Sequence, residues 1–325
     1  MNHKKRALII GISGMDGSHL AEYLLQQDYE VYGTKKDSSP LIATNIKAIE
    51  SQIQFVRGDI LDQQSLIEGI KSAQPHEIYN LAAQSFLEDC WNTPEINANV
   101  IGVGVLRLLE AIKECDTSIK LFQAGSSEMF GIIDTDTANE LTTFCPQTPY
   151  GASKVYAYWL CNHYKTYYNM YVCNGILFNH ESERRKIQFL TRKITQGVAK
   201  ISLGIQQNLS IGNLNSARDW GYAPDFVRGM WSMLQQPEPG DYVLATGKLH
   251  TVRELLEAAF EAINVNDWTK YVIVDKKFFR PSEVSPFKGD ALKAKTQLNW
   301  QPSITFSQMI KKMVEYDINL LKKEL

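Results

Sequence analysis

Arg6-Ala7-Leu8-Ile9-Ile10-Gly11-Ile12-Ser13-Gly14-Met15-Asp16-Gly17-Ser18 decides the fold. After one arginine, residues 7–10 are a continuous apolar run, the pattern of a parallel strand buried on both faces. Glycines follow at 11, 14 and 17, and Ser18 to Gln27 then carries Leu20, Leu24 and Leu25 at helical spacing. Strand, glycine turn and helix in that order make a phosphate cradle. The missing Cβ atoms let the backbone approach a pyrophosphate, and the helix N-terminus adds amide donors and a favourable dipole. A glycine triplet alone marks only a tight turn; its place between strand and helix predicts dinucleotide binding, with Gly11, Gly14, Met15, Asp16 and Gly17 lining the cofactor.

Outward from this turn the alternation of strand and helix continues. Strands are predicted at 30–34, 55–60, 77–85, 121–124 and 171–178, with helices at 65–72, 97–115 and 155–168 between them. The fold class predicted is α/β, a Rossmann-type doubly wound parallel sheet with a smaller mixed α/β C-terminal substrate domain. Residues 1–180 form the dinucleotide-binding domain, joined by roughly 219–246, and residues 181–218 and 247–325 form the substrate domain. The second strand ends in Lys35-Lys36-Asp37, where two lysines suit a 2′-phosphate and the aspartate suits a free ribose hydroxyl. A solvated charged loop is the bland alternative. Asp59, followed by Ile60, stands where a carboxylate can bond the adenine amino group, and the small-residue loop Leu81-Ala82-Ala83 leaves room beside the cofactor.

Two further stretches carry chemistry. Ser126, Ser127 and Glu128 follow the strand 121–124, at the carboxyl end where ligands bind in open α/β sheets. A carboxylate and two hydroxyls there form an acid/base set, although a cap or surface turn would read the same way. Pro149-Tyr150-Gly151-Ala152-Ser153-Lys154 opens a helix, so Tyr150 and Lys154 share a face. An ammonium beside a phenol is expected to lower its pKa and make Tyr150 a base for a hydroxyl proton. Tyr32 and Lys36 show the same spacing, so the pattern alone does not decide. Beyond residue 180, Arg184, Arg185, Lys193, Arg218 and Arg280 could clamp a diphosphate if the fold brings them together; singly, each reads as a surface charge.

Composition bounds the alternatives. A net charge of −2 gives no field for nucleic acid or an anionic membrane. Apolar runs stop far short of a membrane span, and the stretch 7–12 is too short for a signal-peptide core, so a cytoplasmic protein is expected. The five cysteines are widely separated and the six histidines lack ligand spacing, which predicts neither disulfides nor a metal site.

With these pieces placed, the chain resembles the extended short-chain dehydrogenase/reductases. Within them it is most similar to the GDP-mannose 4,6-dehydratase family. The similarity runs nearly end to end through residues 11–18, Asn80 to Ala83, Tyr150 with Lys154, 175–182, Arg184-Arg185, 191–194, 212–214, 218–221, 280–284, 289–290 and 293–300. The resemblance implies NADP, with NAD as the alternative, and a GDP-sugar substrate. Tyr150, with Lys154, would take the C4 hydroxyl proton as hydride leaves C4. Glu128 would remove the C5 hydrogen, and Ser127 or Glu128 would assist the departing C6 hydroxyl. The hydride would return to C6, and Ser126 would orient the C4 oxygen. Asn179, Lys193, Arg218, Arg280 and Glu283 would hold the GDP portion, with Ser85, Glu181 and Arg185 among the substrate contacts.

Three departures stand out. Gly125-Ser126-Ser127-Glu128 replaces the family's Ser-Thr-Ser-Glu, and related 4-keto-sugar reductases share the glycine form, which keeps that activity open. A different GDP-sugar such as a GDP-heptose, and a non-catalytic scaffold, are the other readings. The family's paired arginines after the second strand correspond to Lys36 and Asp37. Residues 38–51 are shorter than the family's subunit-bridging loop, which leaves a homodimer or a homotetramer as the expected assembly.

Overall fold

The computed structural model describes residues 4–36, 44–279 and 286–325. Its centre is a parallel sheet of seven strands: β1 (Arg6–Ile10), β2 (Glu30–Lys35), β3 (Ile53–Arg57), β4 (Glu77–Asn80), β5 (Lys120–Ala124), β6 (Val172–Leu177) and β7 (Tyr242–Leu244). The spatial order is 3-2-1-4-5-6-7, every neighbour pairing in parallel. Strand order reverses between β1 and β4, and the glycine turn after β1 opens at that point.

The uninterrupted apolar run of β1 has a direct cause. Ala7 and Ile9 join the core on one face of the sheet, with Leu20 and Leu24 of α1 (Met15–Gln26). Leu8 and Ile10 join the core on the other face. That second core is completed by α2 (Gln63–Ala73) and α3 (Gly104–Cys115), through Leu66, Ile70, Leu108 and Ile112. With side chains alternating across the pleat, both faces must be apolar. Burying each Leu or Ile contributes about 1.5–3 kcal/mol.

Several boundaries differ from the sequence expectations for identifiable reasons. β3 covers 53–57 rather than 55–60. It is an edge strand with Gln54 and Phe55 exposed, so its hydrophobic signal is weak, and the Asp59–Asp62 turn ends it. The helix expected over 97–115 begins with Pro94–Ala98 and passes through a π turn at Asn99–Val103 before α3. Glycines sit at two close contacts along it. A Cβ on Gly102 would stand 2.9 Å from the Tyr156 ring, and one on Gly104 2.7 Å from Ile60.

After β6 the chain forms a short strand, Asn179–Glu181, paired in parallel with Trp220–Tyr222. Before β6 lies α4 (Pro149–Tyr168); after it come α5 (Leu190–Ser202), α6 (Ala223–Leu234), α7 (Val252–Glu261), a short helix Leu292–Leu298 and α8 (Phe306–Glu324). α5, α7 and α8 enclose a third core through Ile194, Val198, Leu255, Leu256, Met309 and Met313. Asp219, 1% exposed, binds this lobe to the loops beside it. Its carboxylate accepts from the Thr246 amide at 2.9 Å, the Thr246 hydroxyl at 2.5 Å, the Gly247 amide at 2.9 Å and the Gly289 amide at 3.2 Å.

Candidate active site

Tyr150 is the second residue of α4. Thr148 caps the helix by accepting from the Gly151 amide at 3.0 Å, and Pro149 follows it, which fixes where the helix starts. Gly151 lies so close to the Ser127–Met129 turn that a Cβ on it would stand 2.5 Å from the Glu128 carbonyl oxygen. The helix start and the carboxyl end of β5 therefore share one wall. Ser126 accepts from the Glu128 amide at 3.2 Å, and the fully buried Met129 and Phe130 anchor the turn. At the departure from the family pattern, a Cβ on Gly125 would stand 2.8 Å from the Gly175 carbonyl oxygen.

Lys154 lies one turn below Tyr150, its Nζ 5.7 Å from the ring centroid. Tyr32 and Lys36 lack this relationship because they lie along and just beyond β2, where residues four apart are not helical neighbours. The expected electrostatics need correction. Burial pushes the Tyr150 phenol well above its usual range, with Glu128 and Asp16 adding to the rise. The Ser126 hydrogen bond and Arg185 oppose it. Lys154, 3% exposed, is itself lowered by burial to about 8 and donates to the Ala124 carbonyl at 2.6 Å. In the chain alone, desolvation of both groups outweighs the pairing that the i, i+4 spacing suggested.

The glycine turn has the shape a pyrophosphate needs. Gly11 adopts φ +88°, a left-handed conformation, and a Cβ there would meet Leu81 and the Ala82 amide at 3.1 Å. A Cβ on Gly17 would stand 2.3 Å from the Gly11 carbonyl. Gly14 caps α1 without a side chain, which leaves the first-turn amides near Met15 and Asp16 to a ligand. Buried acceptors without partners, Asp16 Oδ1 and Gln84 Oε1, also lie on the glycine turn and the loop after β4. At the ends of the strands, Lys36 pairs with Asp59 at 3.1 Å, and Ile60 is buried beside α3.

The second half brings a denser polar cluster than the sequence indicated. His180 Nδ1 donates to the Phe178 carbonyl at 2.7 Å, and Nε2 meets Asp16 Oδ2 at 3.0 Å. Burial opposes both charges. Even so, Asp16 and the Phe178 carbonyl hold His180 above its usual range, and His180 and Arg185 hold Asp16 below its own. Arg185 pairs with Glu181 at 2.7 Å and donates to the His180 carbonyl at 2.5 Å. Arg184 pairs with Glu22 of α1 at 2.6 Å.

Lys193 lies over the Phe278 ring at 4.0 Å, and Arg218 lies on a strand paired with His250–Thr251. Asn179 opens the strand paired with Trp220–Tyr222, and Ser85 is exposed on the loop after β4. Asp37, Arg280 and Glu283 lie outside the described residues. Among the described residues no group of three or more His, Cys, Asp or Glu could hold a metal ion. No helix there is long and apolar enough to cross a membrane.

Residues 8–313 match the model of the family described as GDP-mannose 4,6 dehydratase. The chain belongs to the GDP-mannose 4,6-dehydratase family. It is 43% identical to GDP-mannose 4,6 dehydratase of Cricetulus griseus, over 98% of this chain and 93% of that protein. It is 44% identical to GDP-mannose 4,6 dehydratase 1 of Arabidopsis thaliana, over 99% and 92%. The fold is shared with Thermotoga maritima UDP-glucose 4-epimerase, at TM-score 0.87 and 21% identity over 97% of this chain and 99% of that one. In this member of the GDP-mannose 4,6-dehydratase family, sequence reasoning passed over His19, His180 and Ser182 as site-forming residues. A signal was present: Asp16, His19 and Glu22 recur every third residue on α1, a polar row on a helix otherwise packed into the core.

Proposed function

We propose that this chain converts a GDP-mannose-type sugar nucleotide to its 4-keto-6-deoxy product by an internal oxidation, elimination and reduction. The observation that carries the reading is the shared wall of Tyr150 and Glu128, held by the approach of Gly151 to the Glu128 backbone. In this reading Tyr150 is the hydroxyl base and Glu128 the carboxylate on that wall, and family membership supports the substrate class.

The glycine cradle, the uncapped α1 N-terminus and the two partnerless acceptors fit a nicotinamide dinucleotide. Such a cofactor would supply the site that accepts hydride from C4 and returns it to C6. Tyr150 takes the C4 hydroxyl proton, with the Lys154 ammonium supporting the negative charge and Ser126 holding the C4 oxygen. The C4 ketone acidifies C5–H. Glu128 removes that proton, a proton from Glu128 or Ser127 goes to the C6 hydroxyl, which leaves as water, and C5 regains a proton as hydride would return to C6, balanced by the proton that Tyr150 took from O4. Lys193, Arg218, Asn179, Glu181, Arg185, Ser85, Arg280 and Glu283 form the substrate-binding set in this reading, with Arg185 held by Glu181 and the His180 carbonyl.

Lys36, with Lys35 opposite Arg57 at the ends of β2 and β3, favours NADP over NAD. The same reading assigns cofactor binding to residues 1–180 and 219–246, and substrate binding to 181–218 and 247–325. The exposed Trp91, Tyr156 and Trp159, on α4 and the helix before Thr93, suit a homo-oligomer, a homodimer or a homotetramer. The deciding experiment incubates the purified chain with GDP-mannose and no reduced cofactor. Mass spectrometry is expected to show a product lighter by one water. Unchanged substrate, together with NADPH consumption on a 4-keto-sugar, would instead establish the reductase.

A further inference from the structure

Three polar contacts join the face of α1 to the segment after Phe178. Asp16 meets His180 at 3.0 Å, His19 meets Ser182 at 2.9 Å, and Glu22 meets Arg184 at 2.6 Å. The helix contributes every third residue and the partner segment every second. Residues three apart lie on one helix face, and the facing segment leaves the strand Asn179–Glu181 through a turn in which the Arg185 amide donates to the Ser182 carbonyl at 3.0 Å, so strand end and turn together set His180, Ser182 and Arg184 against that face. His19, His180 and Ser182 are 6%, 7% and 0% exposed.

The middle contact has a defined proton arrangement. The Ser182 hydroxyl oxygen accepts from the Arg184 amide at 3.1 Å, which leaves its own proton for His19 Nε2. Burial, with Arg184 adding to it, depresses the His19 pKa to about 3, so the ring is a neutral acceptor at physiological pH. Asn45 adds weaker donations to the Ser13 carbonyl of the glycine turn at 3.3 Å and to the Arg184 carbonyl at 3.4 Å.

Asn179, Glu181 and Arg185 alternate with, or directly adjoin, the residues of this row. We infer that His19, Ser182 and the Glu22–Arg184 pair are positioning residues. They fix the register of the 179–185 segment against the cofactor helix, so that the nucleotide-sugar contacts are preset relative to the glycine turn. This rests on the function proposed above. A preset segment binds more tightly because less ordering remains to be done on binding.

The test uses the full chain and GDP as the probe, with binding measured by calorimetry in saturating NADP alongside steady-state turnover. Glu22→Arg and Arg184→Glu are each expected to weaken GDP binding and raise KM by about 5- to 10-fold, with kcat changed less than about 2-fold. The double exchange is expected to recover most of that loss, because the pair is re-formed with its charges reversed. Ser182→Ala is expected to weaken GDP binding by a similar factor and Ser182→Thr, which keeps the hydroxyl, by less. A purely structural role would lower the melting temperature and leave the GDP Kd unchanged; that result, with wild type binding GDP, would overturn the inference alone. A wild-type chain that binds no GDP would overturn the functional reading and this inference with it.

Discussion

Gly151 abuts the backbone of Glu128: a single added carbon at position 151 would lie 2.5 Å from the Glu128 carbonyl oxygen. Carbon and oxygen normally stay above 3 Å, so Gly151→Ala must push the start of α4 away from the β5 turn. Tyr150 moves with the helix. A displacement near 1 Å at a reacting group can lower turnover about 100-fold. The expected outcome is a fall in kcat of roughly 10- to 100-fold with cofactor binding retained. Steady-state kinetics with fluorescence titration of the dinucleotide checks it.

Glu128→Gln keeps shape and removes the base. General base catalysis contributes roughly 10²- to 10⁴-fold, and dehydration is expected to fall by that factor. GDP binding should stay within about 2-fold of wild type. Loss of binding in step with turnover would reassign Glu128 to substrate anchoring.

Lys154 is expected to trade stability for function. Its ammonium is buried and lowered to about 8 from 10.5. Between those values the unfolded chain holds a proton that the folded chain has released, so stability rises with pH across that window. Below pH 8 the folded chain must bury the charge. Lys154→Met is therefore expected to be more stable at pH 7 by about 1–3 kcal/mol and to lack turnover. Denaturant unfolding at pH 7 and pH 9.5 should show the gain shrinking at the higher pH. In wild type, kcat/KM is expected to decline above pH 8 as the ammonium is lost.

Asp219 offers an independent check on the nucleotide lobe. Its carboxylate takes three amide donors and one hydroxyl from two loops. Asp219→Asn places an amide NH₂ among groups that themselves donate. A cost of about 2–4 kcal/mol is expected. Because Arg218 is the adjacent residue, GDP binding should weaken as well. A melting curve and a GDP titration at a temperature where the variant stays folded would measure both.

How much could be read in the sequence varied with distance along the chain. The glycine turn was legible because strand, turn and helix are contiguous, and the fold around β1 followed from its two-sided apolar run. The spacing of Tyr150 and Lys154 announced a shared helical face. It did not announce the Tyr150 pKa, because desolvation depends on Cys90 and Ile101, which arrive from the helix Leu87–Asn92 and the π turn Asn99–Val103 to pack against it. β3 was misplaced because an edge strand need not be apolar. His180 opposite Asp16 was invisible, since the two are brought together only by the crossing of the second half over α1. Arg184 read singly as a surface charge, and its pairing with Glu22 across the fold had no local signal.

The seventh strand has a consequence for how the molecule comes into being. β7 seals the outer edge of β6, but residues 178–241 must be traversed before it arrives. During synthesis the edge of β6 therefore stands open while the following lobe is still being made. An unpaired strand whose every residue is buried in the finished fold is a template for pairing with other chains. Fragments ending before Tyr242 are thus poor candidates for a soluble cofactor-binding module, and assembly of the sheet is a late, long-range event in folding rather than an early local one.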